Sequence, residues 1–453
     1  KGIYEIDLKG IIDSVFNDDV EISLYKSTNP TTDNVAITEG NSATDAGADN
    51  KVHYYKEDTL TINGSPKKVY GPKALKNKNP IILEQADFDN STLQKTTYYL
   101  VYHYKNADTA QDAQQGKSFS GEISVKLILE KGKVPLSDYV ADTASDTAID
   151  EAGNTRYIGA DPNNYVSIDG DIWRIIGTMK DVDDGTGNKE DRVKLIRANS
   201  IGSYSWDTSE SSVNEGYGVN EWSQADLMKL LNPGYESESV GGSLYWNNQS
   251  GTCYNGKINA TKSCDFTSTG IKDKLKTLIS DAVWNTGSQG TNSWESASDG
   301  LAKHFYTYER SDNTGKICSS GDYCNDTVER TTTWKGLVGL MYPSDYGYAT
   351  SGGSTTDRTT CLNKELSKWQ SEECYDNDWL FNSSFQWTIS PYVYPGASSE
   401  GMLGAFLVSS DGSIYGSPNV YFVSRVRPVV YLSSNVKISG GEGTSESPFS
   451  LEL

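Results

Sequence analysis

The sequence predicts a mostly β protein with two folded parts, an antiparallel β-sandwich followed by an α+β domain. Short runs rich in β-branched and aromatic residues recur through residues 1–130, separated by Asn, Asp, Gly and Pro, which is the pattern of strands joined by turns. Helical spacing appears in the second half. The chain of 453 residues exceeds what one hydrophobic core usually serves. We therefore expect a sandwich domain at 1–133, a connection at 134–162 and a second domain at 163–453.

The predicted strands of the first domain lie at 3–8, 20–25, 51–62, 80–83, 96–104 and 119–129. The run 97–104 carries aromatic residues at both odd and even positions, which would point to both faces of a strand. Such a strand is either buried on both faces or covered on one face by another subunit. No helix is evident in this part, so the pattern predicts an antiparallel sandwich.

Two motifs in this part resemble a known family. YYLVYHYKNAD at 98–108, followed by QQGKSFSGEI at 114–123, is similar to the end of camelysin/TasA-type domains, which form bacterial surface and biofilm fibres. The resemblance implies a jelly-roll-like sandwich whose subunits link by giving an N-terminal strand to a neighbour. Lys1 lies where that family is already inside the domain, so we expect an open sheet edge that recruits a strand from another copy.

Residues 134–162 change in character. VPLSDYV at 134–140 precedes a small, acidic, Ala- and Thr-rich tract that runs to Thr155. This composition is typical of a linker. The alternative is an extended strap that packs against the sandwich.

The second domain begins with a predicted hairpin at 165–177, because Asp169-Gly170 is a strong two-residue turn signal. Residues 192–197 are its expected continuation. The acidic run at 181–188 could hold calcium, but its spacing misses the EF-hand order, so a solvated turn is favoured.

Two helices are predicted, at 221–231 and at 272–284. In both segments the apolar residues recur at helical spacing, and Asn232-Pro233-Gly234 ends the first. Trp222 and Trp284 are therefore interpreted as packing residues and not as ligand platforms.

The last third carries a second resemblance. Its motifs are WKGLVGLMYPSDYGYAT at 334–350, DWL at 378–380, QWTISP at 386–391, AFLVSSDG at 405–412 and VRPVVYL at 426–432. They resemble an uncharacterised surface module of Gram-positive bacteria, and their order is similar to C-type-lectin-like and formylglycine-generating-enzyme-like domains. The resemblance implies a displayed α+β, lectin-like domain with long loops.

Three residues of this domain are expected to have structural roles. Trp173 and Trp387 belong to predicted strands and should pack in the core. Arg427 precedes a proline and is expected to make a buried ion pair or backbone contacts, for instance with Asp345 or Asp378.

All six cysteines fall in the second domain, in close sequence pairs. An even number of paired cysteines is typical of disulfides formed in an oxidising compartment. Zinc is the alternative, but no pair has zinc-knuckle spacing and no histidine lies nearby. We predict three disulfides that staple long loops: Cys253–Cys264, Cys318–Cys324 and Cys361–Cys374.

The sequence favours a protein that is not an enzyme. His304 is the one histidine of the second half, and no Gly-x-Ser-x-Gly motif accompanies it. We interpret His304 as structural, and we predict no catalytic residue, metal ligand or cofactor.

Charge and hydropathy limit the kinds of partner that the protein can have. A net charge of −21 and a pI near 4.6 argue against nucleic acid and anionic membrane surfaces. No run of eighteen apolar residues occurs, so membrane insertion is not expected. An extracellular location at the cell surface is predicted.

Aromatic side chains among Ser, Asn and Gly make adaptable contact surfaces. Tyr392 and Tyr394 lie in one such stretch, and Tyr346 and Tyr348 lie in another. They are candidate ligand-contact loops. Two functions follow from the sequence: a homopolymeric surface filament, pilus-like or a biofilm fibre, or a monomeric adhesin that binds host or matrix glycans or proteins.

Overall fold

The computed structural model describes most of the second half of the chain and the strands of the first. The described residues are 2–11, 20–27, 35–37, 60–62, 65–67, 81–88, 97–104, 120–128, 134–208, 217–287, 300–311, 328–393, 403–417 and 419–453. The chain divides into two compact units, Lys1–Val134 and Pro135–Leu453. Both are rich in antiparallel strands, so the expectation of a mostly β protein is confirmed.

The first unit is described by eight strands in three antiparallel groups. In chain order they are β1 (Gly2–Ile11), β2 (Val20–Ser27), β3 (Val35–Ile37), β4 (Leu60–Ile62), β5 (Ser65–Lys67), β6 (Ile81–Phe88), β7 (Thr97–Tyr104) and β8 (Ser120–Ile128). Strand β1 lies between β6 and β8, β2 pairs with β7, and β4 lies between β3 and β5. The aromatic run 97–104 is thus a strand.

The second unit contributes eighteen described strands. They are β9 (Thr147–Ile149), β10 (Thr155–Tyr157), β11 (Tyr165–Ile168), β12 (Asp171–Asp183), β13 (Lys189–Arg197), β14 (Ser203–Ser205), β15 (Ser250–Tyr254), β16 (Thr261–Asp265), β17 (Ala282–Asn285), β18 (Thr333–Gly336), β19 (Val338–Gly339), β20 (Gln386–Val393), β21 (Leu403–Val408), β22 (Ile414–Gly416), β23 (Val423–Arg425), β24 (Val429–Tyr431), β25 (Lys437–Gly440) and β26 (Ser450–Glu452).

Two sheets organise this unit. The larger has the order β19-β24-β13-β12-β10-β9, with β11 also paired to β12. The smaller has the order β14-β23-β20-β21-β22. The predicted hairpin is confirmed: β11 and β12 pair across Asp169 and Gly170, which both have positive φ, as a type I′ turn requires.

The described residues of this unit form six short α-helices: α1 (Leu136–Thr143), α2 (Asp226–Leu231), α3 (Asp273–Leu278), α4 (Ala302–Glu309), α5 (Pro343–Ala349) and α6 (Arg358–Leu362). Trp222–Gln224 and Leu366–Glu372 form 3₁₀ turns.

Both predicted helices are shorter than expected. The extended backbone of Ala225 separates the 3₁₀ turn from α2. After α3 the chain extends at Ile279 and becomes β17, which pairs with β18. The apolar run at 282–284 therefore belongs to a strand, because Ala282 and Trp284 alternate with more exposed neighbours.

Residues 134–162 are not the linker or strap that their composition predicts. They fold into the second unit as α1, β9 and β10. Leu136 and Val140 are buried one helical turn apart, and Leu136 N donates to Val436 O at 2.7 Å. The apolar i, i+4 pair makes this segment a core element.

The core of the second unit is rich in tryptophan. Trp206 packs on Trp222 with ring centroids 5.2 Å apart, and Trp222 in turn packs on Trp334 at 5.9 Å. Trp173 and Trp387, expected to be structural, are also fully buried. Edge-to-face aromatic pairs of this kind add stabilisation beyond their buried area.

Candidate functional site

A network of charged side chains lies inside the second unit. Asp345, at the start of α5, accepts Arg156 Nη1 at 2.6 Å and Lys194 Nζ at 2.5 Å. Arg156 Nε also donates to Asp150 at 2.9 Å. All four residues are buried, so two cations and two anions neutralise one another away from water.

Electrostatics keep Asp345 and Lys194 ionised near neutral pH. Despite burial, the charges of Lys194 and Arg156 lower the pKa of Asp345 to about 2. Burial lowers the pKa of Lys194 to about 8, against the attraction of Asp345. The ammonium also lies 4.0 Å from the ring centroid of Tyr342, where a cation–π contact stabilises its charge.

Glu309 is a third buried acid nearby, at the end of α4. It accepts Ser344 N at 3.0 Å and Ser344 Oγ at 2.5 Å, and Arg310 Nη1 lies 3.1 Å away. Burial raises its pKa to about 7, although Arg310 opposes the shift. These groups hold β10, β13, α4 and α5 together, and their burial keeps them from contact with a large ligand.

The tyrosines expected to form contact loops do not form an exposed surface. Tyr346, Tyr348 and Tyr392 are all buried. Tyr346 OH donates to Gly412 O at 2.7 Å, and the ring of Tyr392 packs on Phe406 at 5.0 Å between centroids. All seven residues of α5 are buried, so Tyr346 and Tyr348 lie in the core. Tyr394 lies outside the described residues.

Arg427 makes backbone contacts. Its Nε donates to Arg197 O at 2.8 Å and its Nη1 donates to Leu380 O at 3.2 Å. Asp378 is also buried, and burial raises its pKa, while Asp345 is taken by Arg156 and Lys194. The guanidinium thus ties the end of β13 to the segment that precedes β20.

Two disulfides are present in the described residues, Cys253–Cys264 and Cys361–Cys374. The first links β15 to β16, and the second links α6 to the segment after the 3₁₀ turn at 366–372. Cys318 and Cys324 lie outside the described residues. His304, on α4, is partly exposed.

A surface groove lies at one end of the smaller sheet and encloses about 320 Å³. Its walls carry two apolar side chains, five serines and one arginine. They are Phe385, Val423, Ser203, Ser383, Ser384, Ser410, Ser424 and Arg425.

The strands hold this groove in place from beneath. Arg425 N donates to Phe385 O at 2.9 Å, and Ser203 pairs with Arg425 across β14 and β23. Trp387, two residues beyond Phe385, donates its Nε1 to Tyr204 O at 3.0 Å. The floor is thus fixed by buried elements while the side chains of Phe385, Val423 and Arg425 face solvent.

Sequence reasoning missed this groove. The motif that contains Trp387 and the motif that contains Arg427 stand beside Phe385 and Arg425, but both were interpreted as structural. The run Asn382-Ser383-Ser384-Phe385 was the available signal, an aromatic residue among small polar ones.

Two exposed apolar side chains lie on β8 of the first unit. Val125 is 70% exposed and Ile123 is 49% exposed, both on β8. Val125 lies opposite Ile6, and Ile123 lies opposite Leu8, in the register of β1 and β8. Ile6 is 3% exposed. Directly opposed residues share a face of the sheet, so this face is covered at β1 and open at β8.

No cluster of three or more potential ligands from His, Cys, Asp and Glu occurs among the described residues. Within those residues, no helix has the length and apolar character that crossing a membrane requires.

Comparison with known proteins adds no relative. No family model, curated protein or solved structure matches the chain.

Proposed function

We propose that the protein is a structural subunit of an extracellular bacterial surface filament, pilus-like or a biofilm fibre. In this proposal the first unit is a jelly-roll-like sandwich that polymerises by strand donation. The second unit is a lectin-like domain displayed on the filament. The supporting observation is the exposed apolar pair on β8, Ile123 and Val125, with Val125 opposite the buried Ile6.

In this proposal a strand from a second copy is added beside β8, which pairs with β1 among the described strands. A strand from a second copy would bring side chains over Val125 and Ile123. Full burial of such a side chain contributes about 1.5–3 kcal/mol, and the added backbone pairing gives affinity and register.

The test is whether the native protein assembles. Any residues that precede Lys1 in the native protein are included. Filaments are expected in negative-stain images and as fast-sedimenting material. The double variant Ile123→Lys, Val125→Lys places charge on the open face and should remain monomeric, because the incoming strand would have to bury two ammonium groups.

Ile149→Lys is the matched control, since Ile149 is equally exposed at 70% but lies on β9 in the second unit. This variant should assemble like the wild type. A wild-type protein that stays monomeric across concentration, pH and salt would contradict the proposal. So would unchanged filaments from the double lysine variant.

The groove at Phe385 favours a second candidate function, a monomeric surface adhesin or carbohydrate-binding protein. An exposed aromatic ring, serine hydroxyls and a small concave volume suit a polar ligand with an apolar face. Glycan-array binding that is lost in Phe385→Ala would support it. An array with no signal above background for the full chain would count against it.

A further inference from the structure

We propose that the groove at Phe385 binds a short acidic saccharide, with a sugar ring on Phe385 and its carboxylate on Arg425. This inference rests on the second candidate function, ligand binding by the second unit, and is independent of filament assembly. It assigns a ligand class and a role to each wall of the groove.

The apolar wall is the first step. Phe385 is 49% exposed and Val423 is 46% exposed, and both line the groove. The hydrogens on one face of a pyranose ring form an apolar surface that can cover such a ring and remove it from water. The volume of about 320 Å³ lies at the lower end of the range for small-molecule sites, so the ligand is short.

Arg425 supplies the charge. Its guanidinium is exposed, and its nearest side-chain partner is Ser200 Oγ, 3.5 Å from Nη1. No carboxylate of the described residues pairs with it. Five other arginines of this unit each have a carboxylate partner within 4 Å: Arg156, Arg174, Arg192, Arg197 and Arg310.

Because Arg425 has no carboxylate partner among the described residues, its guanidinium can bind an acidic group of the ligand. The planar fork of arginine binds a carboxylate through two parallel hydrogen bonds. In a chain with 61 acidic and 40 basic residues, an exposed arginine that has no carboxylate partner among the described residues can take an anion from a ligand. The net charge of −21 repels long polyanions, which favours a ligand that carries one or a few carboxylates.

The hydroxyl groups complete the site. Ser203, Ser383, Ser384 and Ser410 also line the groove, and their hydroxyls make no hydrogen bond to another described residue. Serine hydroxyls both donate and accept, which matches the hydroxyls of a sugar. Because Phe385 and Arg425 are joined by a backbone hydrogen bond of 2.9 Å, aromatic and cationic contacts are held at a fixed separation.

Binding of matched probes to the full chain tests the proposal. Titration calorimetry and saturation-transfer NMR would use sialyllactose and trigalacturonate as acidic probes, with lactose and maltotriose as their neutral partners. At least one acidic probe should bind, at least about tenfold more tightly than its neutral partner, because a charge-assisted bidentate contact is worth at least that factor.

The variants identify the residues. Arg425→Gln should weaken binding of the acidic probe at least about tenfold and bring its affinity to that of the neutral partner. Phe385→Ala should weaken both probes of a pair. The matched controls are Phe422→Ala, an exposed aromatic outside the groove, and Lys303→Gln, an exposed cation on α4. Both controls should bind as the wild type does.

Three results would overturn the inference. One is the absence of binding for both acidic probes, and another is wild-type affinity in Arg425→Gln. The third is equal binding of an acidic probe and its neutral partner, lost in Phe385→Ala, which would leave the groove as a saccharide site and remove the acidic ligand. Filament formation is measured separately, so failure of either proposal is recognisable.

Discussion

Asp345 is the residue on which the buried charges of the second unit depend. It accepts hydrogen bonds from Arg156 and Lys194, and its Oδ2 also accepts Tyr342 N at 2.9 Å. The carboxylate therefore caps α5 while it neutralises two cations. A buried ion pair is costly to desolvate, but removing one partner is costlier, because the other charge stays buried.

We predict that Asp345→Asn lowers the free energy of unfolding by about 3–5 kcal/mol, since two buried cations lose their shared anion. Urea unfolding followed by tryptophan fluorescence measures the stability of the second unit, because all ten tryptophans lie in that unit. The control is Asp191→Asn, which breaks a partly exposed ion pair with Lys180 and should cost at most about 1 kcal/mol. Equal effects of the two substitutions would refute the role given to Asp345.

The raised pKa of Glu309 predicts that the stability of the fold depends on pH. Its pKa rises from 4.5 to about 7 on folding because of burial. Between these values the folded state holds a proton that the unfolded state has released. The contribution to stability is therefore complete below about pH 4.5 and is lost as pH rises to about 7. Over this window we expect a loss of about 3 kcal/mol.

The measurement is urea unfolding at several pH values between 5 and 7.5. Glu309→Gln should flatten the decline, because the amide does not titrate. Glu452→Gln, at an exposed position, should keep it. A wild-type slope in the Glu309 variant would contradict the assignment of the proton to Glu309.

At the scale of elements, close contact between β10 and β12 depends on a glycine. A β-carbon on Gly177 would lie 2.0 Å from Thr155 O, at the position where β12 changes register against β13. Since the neighbouring atoms are backbone, they cannot move aside as a side chain would. The glycine thus lets β10 bring Arg156 to Asp345.

We predict that Gly177→Ala destabilises the second unit by about 1–3 kcal/mol, as expected for overpacking. Gly440→Ala is the control, because a β-carbon there meets no atom within 4 Å. Thermal unfolding monitored by tryptophan emission should separate the two variants. Matching midpoints would show that β10 tolerates the displacement.

Local sequence predicted some elements better than others. The hairpin of β11 and β12 was predictable because Asp169-Gly170 fixes its turn locally. The helix predicted at 272–284 was wrong beyond Leu278, because a short apolar run fits either period. The segment at 282–285 becomes a strand because it pairs with β18, some fifty residues away along the chain.

For the whole molecule, the position of the domain boundary has a direct consequence. The second unit begins at Pro135, so the segment 134–162 supplies part of its core. Without this segment the unit would lose Leu136, Val140 and Tyr157 from the core. It would also lose Arg156, the partner of Asp345.

We predict that a fragment of residues 135–453 folds, whereas a fragment of residues 163–453 does not. Near-ultraviolet circular dichroism and tryptophan emission of the purified fragments measure the difference. The longer fragment should show a native spectrum and a cooperative urea transition. Equal stability of the two fragments would show that 134–162 is dispensable.

The sequence by itself determined the β class, the strong negative charge and some of the segments that become strands, since alternation and turn residues act over a few neighbours. It also suggested that cysteines close in sequence pair with one another, as at Cys253–Cys264 and Cys361–Cys374.

The tertiary structure decided which distant residues meet and which surfaces stay open. Asp345 is separated from Arg156 by 189 positions and from Lys194 by 151, and no local pattern encodes such a pair. Likewise, Tyr346 is buried while Phe385 is exposed, although both stand among small polar residues. Burial depends on the segments that pack against a side chain, and those segments are chosen by the fold as a whole.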